Sequence, residues 1–587
     1  MKTDWQKEIG PFLFVLFFLA SVSSSPATAA PSDQGMWDPQ LYWTFGSGFI
    51  AVHMIHLAPV NPSNHVAPGK LLIWGFDHNE EQPRQTKARV FEPADPSVQQ
   101  DEDSLTGWLE DYPSEWIYCA GHALLPDGKA ITIGGNDSRD RTQDPEFELG
   151  IKNTYLFDLA EDPTESDWIE VAMMDSTRWY PTATLLPDGR ILSSQGTRLL
   201  FDDWACPMEC QPECPQECLV ADYDAIIQTI PEVYSPRHDQ WSLLPDADSA
   251  EPSDWDGEPY QWYPALFVAP NGKIFAASPQ SRYLDPISWL WDSSNLDEYF
   301  TTDMGVEWAR PAVMYEPGKI MTCGGKGSND EDPATDMTLT IDLNDPNPIW
   351  DEAGNMTEAR RHHDLVLLPD GRVLAVGGAL YGGYGHPDVL VYLSEVFDPA
   401  TGSWSEWESM NGDWGDEDAH PRTYHSTASL LPDGRVIVAG GQVREDPDDP
   451  ESGYDCKSAQ IFSPPYLFHL DESPVSDGER PQFDEVPDAL VYGEDFAVSY
   501  LGDEVEKVAL VGLAAVTHAF DENQRYVPLT IKTHAYSSGD PGEGSLTIDM
   551  VDVTANIAPP TDYMLFLAPL DFPWIEGYRM VLAQGSS

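Results

Sequence analysis

The sequence predicts an all-β fold in which a seven-bladed β-propeller is followed by a β-sandwich. Three observations favour this fold. A hairpin-forming phrase recurs along most of the chain, the C-terminal part changes to short alternating strands, and 51 prolines with 44 glycines interrupt any long helix. Because the 587 residues exceed the ~250–300 at which one hydrophobic core stops growing, a repeat architecture or several domains are expected.

The first 29 residues are predicted to be a signal peptide. The apolar run at residues 12–20 is too short to span a membrane, and the small residues at 27–29 suit a cleavage site. An uncleaved anchor is the alternative, since Lys2 and Lys7 are offset by Asp4 and Glu8. We therefore expect a secreted, extracellular protein without stable membrane insertion after cleavage.

Residues 30–475 are predicted to form the propeller. Six copies of an apolar run, a Pro-Asp-Gly-like turn, a basic residue and a second apolar run begin near residues 122, 183, 266, 313, 364 and 428, and a looser seventh copy ends at Gly75. Asp-Gly and Asn-Gly allow the positive φ angles of a tight hairpin turn, so each copy predicts a β-hairpin. Seven copies suggest seven kelch-type blades. A β-helix or a series of sandwiches is the structural alternative.

Four of the seven cysteines recur every fourth residue within this region, at Cys206, Cys210, Cys214 and Cys218. On a helix they would share one face and form a metal cluster, but prolines at 207, 212 and 215 break that helix. A loop closed by two disulfides is therefore favoured over a metal site, and the sequence leaves the pairing open.

Residues 480–587 are predicted to form an immunoglobulin-like β-sandwich. After a linker rich in Pro and Asp, short alternating segments such as FAVSYLG, KVALVGL and YMLFLAP follow one another without the glycine pairs of the repeats. Six to seven such strands suit this kind of sandwich.

The charge balance excludes one class of partner. With 99 acidic against 31 basic side chains the formal net charge is −68, so nucleic acid is not expected to bind. The acidic runs at 413–418 and 445–451 predict a solvated acidic surface, with Ca²⁺ sites as the alternative.

Four segments place oxidisable or metal-binding side chains beside the repeats or strands. They are WIYCAGHALLPDG with Cys119, STRWYPTATLLPDG with Tyr180, PRTYHSTASLLPDG with Tyr424 and His425, and AAVTHAFDENQRYVPL with His518. Two imidazoles and two phenolates suit Cu(II). Alone, Cys119 would be a core residue, and either tyrosine would be an amphipathic residue at a blade edge. Adjacent Tyr424 and His425 reach one metal only if the chain turns or bulges there.

Together these segments resemble the metal-site segments of the glyoxal oxidase and galactose oxidase family of radical copper oxidases. The later segment APPTDYMLFL also resembles the C-terminal domain of that family. The resemblance implies that Tyr180 is an equatorial copper ligand joined by a thioether to Cys119, which together form a Tyr-Cys radical cofactor. It implies that Tyr424 is the axial ligand and proton acceptor and that His425 and His518 complete the copper shell. A loop carrying His518 must then reach into the propeller's central channel.

The implied activity is the oxidation of small aldehydes, of the glyoxal or methylglyoxal type, or of primary alcohols, with O₂ reduced to H₂O₂. The expected partners are a small-molecule substrate and O₂, and the expected state is a monomer. Trp262 and Trp308 are the candidates for an aromatic side chain over the Tyr-Cys unit. Arg178, Arg422 and Arg525 are candidates for orienting an anionic substrate, with ion pairing as the alternative. The thioether would leave Cys323 and Cys456, with the four clustered cysteines, for up to three disulfides.

Two alternatives from other classes remain open on the sequence. A catalytically inactive kelch propeller that binds carbohydrate or a cell-wall polymer would have no need for the complete set of Cys119, Tyr180, Tyr424, His425 and His518. A hydrolytic propeller such as a sialidase would need paired carboxylates and an arginine cluster, and chance carboxylate pairs are uninformative in so acidic a chain.

Overall fold

The structure is a computed structural model, and most of the chain after the predicted signal peptide is described. The described residues are 30–38, 43–44, 49–59, 69–75, 86–91, 116–137, 150–160, 166–197, 228–249, 263–277, 281–292, 311–325, 333–381, 389–410, 420–444, 453–476, 479–487, 489–539, 541–569 and 578–583. The predicted signal peptide, the loop of four clustered cysteines, Trp262, Trp308 and both acidic runs lie outside these residues.

The part of the chain before residue 480 consists of short strands. A four-residue helix, Pro31–Gln34, precedes them, and single 3-10 turns lie at Pro245–Ala247 and Pro465–Leu467. The strands are β1 Met36–Trp37, β2 Trp43–Thr44, β3 His53–Leu57, β4 Lys70–Gly75, β5 Lys87–Phe91, β6 Gly121–Leu124, β7 Ala130–Ile133, β8 Thr154–Asp158, β9 Asp167–Glu170, β10 Thr182–Leu185, β11 Ile191–Ser194, β12 Glu232–Ser235, β13 Gln240–Leu243, β14 Leu266–Val268, β15 Ile274–Ala276, β16 Arg282–Asp285, β17 Leu290–Trp291, β18 Ala312–Glu316, β19 Lys319–Cys323, β20 Thr338–Asp342, β21 Trp350–Glu352, β22 Asp364–Leu367, β23 Val373–Val376, β24 Glu395–Asp398, β25 Ser403–Glu406, β26 Ser426–Leu430, β27 Val436–Gly440, β28 Gln442–Arg444, β29 Gly453–Asp455 and β30 Ser458–Ser463.

These strands form the blades of a propeller. Blades 2 to 6 are four-stranded sheets made of strands consecutive in the chain, namely β6–β9, β10–β13, β14–β17, β18–β21 and β22–β25. Blade 1 contains β3, β4 and β5, and blade 7 contains β26, β27 and β30. Seven blade sheets are therefore present among the described residues, and the predicted all-β propeller is confirmed.

The two ends of the propeller chain meet in blade 7. β1 pairs with β30 through Met36–Ser463 and Trp37–Phe462, and β2 pairs with β30 through Trp43–Ala459. The Trp37 indole N–H also donates to the carbonyl of Glu408 at 3.0 Å. The N-terminal strands thereby close the ring, which protects an edge that would otherwise be open.

Burial falls from the inner to the outer strand of a blade. In blade 2 every residue of β6 and β7 is buried, whereas only Trp168 is buried in β9. Such inner strands are apolar on both faces because neighbouring blades cover them, and the outer strands meet water. The main hydrophobic core accordingly runs through several blades and continues into the C-terminal domain at Val511 and Phe566.

The repeated turn has one left-handed residue. In the first copy Gly128 has φ +82°, and its N–H donates to the carbonyl of Leu125 at 3.0 Å. Asp127 has no positive φ, so the glycine alone supplies the left-handed conformation, not the Asp-Gly pair.

The glycine pairs that end the repeats lie where backbones crowd, as predicted. A Cβ on Gly134 would lie 2.4 Å from the carbonyl oxygen of Arg178, and one on Gly377 would lie 2.2 Å from that of Arg422. Both glycines also have positive φ, so only glycine fits these positions.

The C-terminal part is a β-sandwich joined by one long strand. Its strands are β31 Gln482–Glu485, β32 Ala489–Val491, β33 Phe496–Leu501, β34 Val505–Gly512, β35 Ala515–Thr517, β36 Phe520–Asp521, β37 Tyr526–Ser537, β38 Glu543–Asp549, β39 Asp562–Pro569 and β40 Tyr578–Ala583. The first residues of β37 pair with β34 and its later residues pair with β38, so this strand passes from one sheet to the other. Val508, Leu510, Leu546, Ile548 and Leu565 belong to a core of their own.

A hairpin of the C-terminal domain is built into the propeller. β35 pairs with β3 of blade 1 through His53–Thr517, Met54–Val516 and Ile55–Ala515, and β36 lies beyond it in the same sheet. We call residues 515–525 the channel hairpin. The two domains therefore share a sheet, while the predicted boundaries at 475 and 480 stay a prediction. Among the described residues, no helix combines the length and the apolar character needed to cross a membrane.

Candidate metal centre

Several side chains of the site occupy the same backbone position in their respective blades. In five blades the residue seven positions before the turn proline has a left-handed backbone and lies one to three positions before the first residue of the inner strand. These residues are Cys119, φ 57°, Tyr180, φ 64°, Tyr263, φ 42°, His362, φ 54°, and His425, φ 66°. Such a conformation costs a non-glycine residue about 1–3 kcal/mol and is concentrated at functional sites.

Cys119 and Tyr180 come from neighbouring blades and are in direct contact. The Tyr180 N–H donates to the Cys119 carbonyl at 2.9 Å, and the Cys119 thiol hydrogen-bonds with the Tyr180 side chain. Cys119 is fully buried and Tyr180 is 7% exposed. The structure thus brings together the two side chains that the predicted thioether would join.

Tyr424 and His425 reach the same place because the chain turns between them. The Ser426 N–H donates to the Thr423 carbonyl at 2.7 Å, and His425 is left-handed. The two rings lie 3.9 Å apart at an interplanar angle of 31°. This turn meets the condition that the sequence set for two adjacent residues to serve one metal.

His518 comes from the turn of the channel hairpin, with φ 48°. Its ring centroid lies 4.7 Å from that of His425, 5.0 Å from that of Tyr180 and 5.3 Å from that of Tyr424. Nδ1 is 2.6 Å from the Thr517 hydroxyl oxygen, which orients the ring. The pairing of β35 with blade 1 is what carries His518 into the channel.

The donor atoms of these residues converge. Cys119 Sγ and one ring nitrogen each of His425 and His518 all lie within 4.8 Å of one another, and Cys119 Sγ is 3.6 Å from His518 Nε2. The hydroxyl oxygens of Tyr180 and Tyr424 are 2.5 Å apart. Two imidazoles and two phenols around one point are the nitrogen and oxygen donors that suit Cu(II).

Burial controls the protonation of these groups before any metal binds. It lowers the pKa of His518 well below its usual value, with nearby His362 acting in the same direction, so the imidazole is neutral and has a lone pair to donate. Burial raises the pKa of the Cys119 thiol to about 12, and it raises the pKa of Tyr180 well above 10, with Cys119 and Tyr424 adding to the effect. Both groups are protonated at neutral pH.

The site is also lined by three aromatic side chains that the sequence analysis did not name. The Tyr263 ring lies 5.3 Å from Tyr180 and 5.0 Å from His518, and its hydroxyl donates to the Ala120 carbonyl at 3.0 Å. The His362 ring lies 5.2 Å from Tyr424. Trp179 lies 4.4 Å from the Tyr180 ring. The count of seven positions before the turn proline could have found Tyr263 and His362.

The three candidate arginines hold the scaffold together. Arg178 pairs with Glu232 at 3.1 Å and donates to the carbonyls of Gln195 and Ile230. Arg422 donates to the carbonyls of Gly440 and Ser458, and Arg525 to those of Val268 and Ile557. These contacts favour a structural role over contact with a substrate.

Two cysteines considered for disulfides have other neighbours. Cys323 Sγ lies 3.4 Å from His363 Nε2, and Cys456 Sγ lies 3.0 Å from Nη1 of Arg422. Neither forms a disulfide with another described cysteine. The four clustered cysteines lie outside the described residues, so the expectation of up to three disulfides stays a prediction.

Comparisons with known proteins identify related sequences over most of the chain. Residues 312–466 match the family model described as the glyoxal oxidase N-terminus, and residues 480–573 match a galactose oxidase-like early set domain. The aldehyde oxidase GLOX of Vitis pseudoreticulata is 27% identical over 492 residues, which cover 78% of this chain and 81% of that protein. A galactose oxidase of Gibberella zeae is 24% identical over 568 residues, which cover 93% of this chain and 70% of that protein.

A solved structure has the same fold. A fungal alcohol oxidase of the AA5 family, solved in complex with copper, superposes with a TM-score of 0.68 at 20% identity. The match covers 94% of this chain and 99% of that one. The shared fold extends through both the propeller and the C-terminal domain.

Proposed function

Since this chain belongs to the family of the glyoxal oxidases and galactose oxidases, we propose that it is a secreted radical copper oxidase of small aldehydes, of the glyoxal or methylglyoxal type, or of primary alcohols. The observation that carries the proposal is the convergence of Cys119, Tyr180, Tyr424, His425 and His518 from four separate segments. A propeller that only bound carbohydrate would have no need for this set. Export and a monomeric state are part of the proposal.

The donor set fits copper. Tyr180, Tyr424, His425 and His518 would hold the ion, and the hydrogen bond of 2.5 Å between the two phenol groups brings both oxygen donors to one point. Copper, when bound, supplies a one-electron redox centre and lowers the pKa of a coordinated phenol or alcohol, as a Lewis acid does for bound water. Cys119 and Tyr180 would share the thioether that makes Tyr180 the second one-electron centre.

Tyr424 and Tyr180 have different roles in the proposed reaction. Tyr424 Oη, as phenolate, takes the proton of the substrate hydroxyl, and the hydroxyl of a hydrated aldehyde is equivalent to that of an alcohol. Oxidised Tyr180 takes a hydrogen atom from the substrate carbon. The substrate loses two electrons and two protons in total, and O₂ accepts them to form H₂O₂. The protein supplies positions and electrostatics for this chemistry.

The preference for small aldehydes rests on relatedness. The relative from Vitis pseudoreticulata is named an aldehyde oxidase, and the RWYPT segment resembles glyoxal oxidases more than galactose oxidase. Primary alcohols remain within the proposal because galactose oxidase is also a relative.

A peroxidase-coupled assay tests the proposal. Copper-loaded protein is expected to release H₂O₂ from glyoxal or methylglyoxal, and Cys119→Ser or Tyr180→Phe is expected to remove most of this activity because each destroys the Tyr-Cys unit. Cys323→Ser is the matched control, since it removes another buried thiol that lies beside His363. No turnover of aldehydes, alcohols or sugars after treatment with copper and oxidant would favour the carbohydrate-binding alternative.

A further inference from the structure

A buried carboxylate connects three segments that contribute to the site. Glu522 lies in the channel hairpin, four residues after His518. Its side chain is fully buried. Oε2 accepts a short hydrogen bond from the Ala183 N–H, and Oε1 accepts one from the His122 N–H at 3.3 Å. Nδ1 of His122 lies 3.4 Å from Oε1.

The two N–H groups that Glu522 accepts belong to the strands that follow Cys119 and Tyr180. His122 follows Cys119 by three residues and lies on β6, and Ala183 follows Tyr180 by three residues and lies on β10. These are the innermost strands of blades 2 and 3, so their channel-facing N–H groups have no further strand to accept them. A buried N–H needs a partner, and the carboxylate provides one for each strand. One side chain therefore links the Cys119, Tyr180 and His518 segments.

His122 is the basic side chain in this set of contacts, and burial lowers its pKa to about 3, so its neutral imidazole brings no positive charge to Glu522. Burial raises the pKa of Glu522 well above the usual value, and the N–H groups of Ala183 and His122 act in the opposite direction by stabilising the carboxylate. Because each of its two oxygens accepts a backbone N–H group, the side chain is held at two points.

A second link from the same hairpin goes elsewhere. Gln524 Oε1 accepts the Leu367 N–H at 2.7 Å on β22 of blade 6, which contributes neither Cys119 nor Tyr180. Gln524 is 3% exposed, so its bond is also buried. The chain thus contains a matched pair of buried hairpin-to-blade bonds that differ in which blades they hold.

We propose that Glu522 is a positioning residue that holds the Cys119 and Tyr180 strands at the spacing at which their side chains become joined. The inference rests on the proposed function and deepens it. Joining them breaks the S–H bond of Cys119 and a ring C–H bond of Tyr180 and forms one S–C bond. The two electrons and two protons released go to O₂, which becomes H₂O₂. Because misplacement by about 1 Å can cost 10²-fold in rate, loosening this spacing slows the step strongly.

The test follows cofactor formation and not turnover. Full-length protein is produced without copper, exposed to Cu(II) in air, and quenched with chelator and acid at intervals. Intact mass reports the loss of two hydrogen atoms, and peptide mapping identifies the Cys119–Tyr180 crosslink. Glu522→Gln keeps the side chain's length but sets an amide N–H against a backbone N–H donor. We expect it to slow formation by roughly 10–100-fold.

The control is Gln524→Met, which removes the comparable bond to blade 6. We expect it to form the crosslink within about threefold of the wild-type rate, less than the effect of a misplaced reacting group, even if both variants lose similar thermal stability. Equal slowing in the two variants, or a wild-type rate in Glu522→Gln, would overturn the inference. If Glu522→Gln does not fold, Glu522→Asp replaces it, and a full wild-type rate there would be equally contrary. Absence of the crosslink in the wild type would instead contradict the proposed function.

Discussion

Removing one partner of the buried Arg178–Glu232 pair should destabilise the propeller without changing its choice of substrate. Both side chains are fully buried, and the two charged groups are 3.1 Å apart. Glu232 also accepts the N–H groups of Asp175 at 2.7 Å and Ser176 at 3.2 Å. In Glu232→Gln the Arg178 charge stays buried without its counter-charge, which typically costs about 3–5 kcal/mol.

Two other variants serve as comparisons for the stability loss in Glu232→Gln. Glu316→Gln, in the partly exposed pair with Lys319, should cost only about 0–1 kcal/mol. Replacing Arg178 and Glu232 together by methionines should recover only part of the loss. It removes the unpaired charge, but it also leaves the N–H groups of Asp175 and Ser176 without the acceptor that Glu232 provides.

The assay combines thermal unfolding with turnover. Each variant is melted alongside the wild type, and the ratio of kcat/KM for glyoxylate to that for glyoxal is measured on the folded protein. We expect a lower Tm in Glu232→Gln with an unchanged ratio, since the Arg178 guanidinium is engaged between strands and not with substrate. A stability loss no larger than that of Glu316→Gln, or a selective loss of activity on the anionic substrate, would refute the structural role assigned to Arg178.

Two further predictions concern the backbone and the pH dependence of stability. Gly134→Ala should lower the unfolding free energy more than Gly402→Ala. Both glycines have positive φ, which alone costs alanine about 1–2 kcal/mol, but only at Gly134 would a Cβ meet a carbonyl oxygen, at 2.4 Å, whereas nothing lies within 4 Å of a Cβ at Gly402. Equal losses of Tm in the two variants would contradict this. Burial raises the pKa of Asp364 from 3.8 to about 7, so the folded state holds a proton that the unfolded state releases, and the unfolding free energy should fall as pH rises from about 4 to 7. Asp364→Asn should remove up to about 4 kcal/mol of that change, which urea titrations across this pH range would measure, and an unaltered slope would show that Asp364 is ionised in the folded state.

The local features of the fold were accessible from the sequence. The hairpins were predictable because turn chemistry and alternation of apolar residues act over a few neighbouring positions. Ring closure was not predicted, because the two-residue strand at Met36–Trp37 carries too little pattern and pairs with Ser463 far along the chain. The built-in hairpin was expected only from the family resemblance, which required His518 to enter the channel.

The candidate site was predictable to a similar degree. The five converging side chains were named through combined motifs, since each alone is more often an ordinary structural residue. Tyr263 and His362 were missed although they occupy the same position relative to the turn proline as Cys119 and Tyr180. Glu522 could not be singled out, because one carboxylate among 99 acidic residues gives no signal until its neighbours are known.

A crystal structure of the copper-loaded protein, with anomalous scattering recorded at the copper edge, tests the central claim most directly. The account predicts one strong peak within bonding distance of the hydroxyl oxygens of Tyr180 and Tyr424 and of a ring nitrogen from each of His425 and His518. A peak bound elsewhere, or density in which His518 points away from the other three side chains, would contradict it.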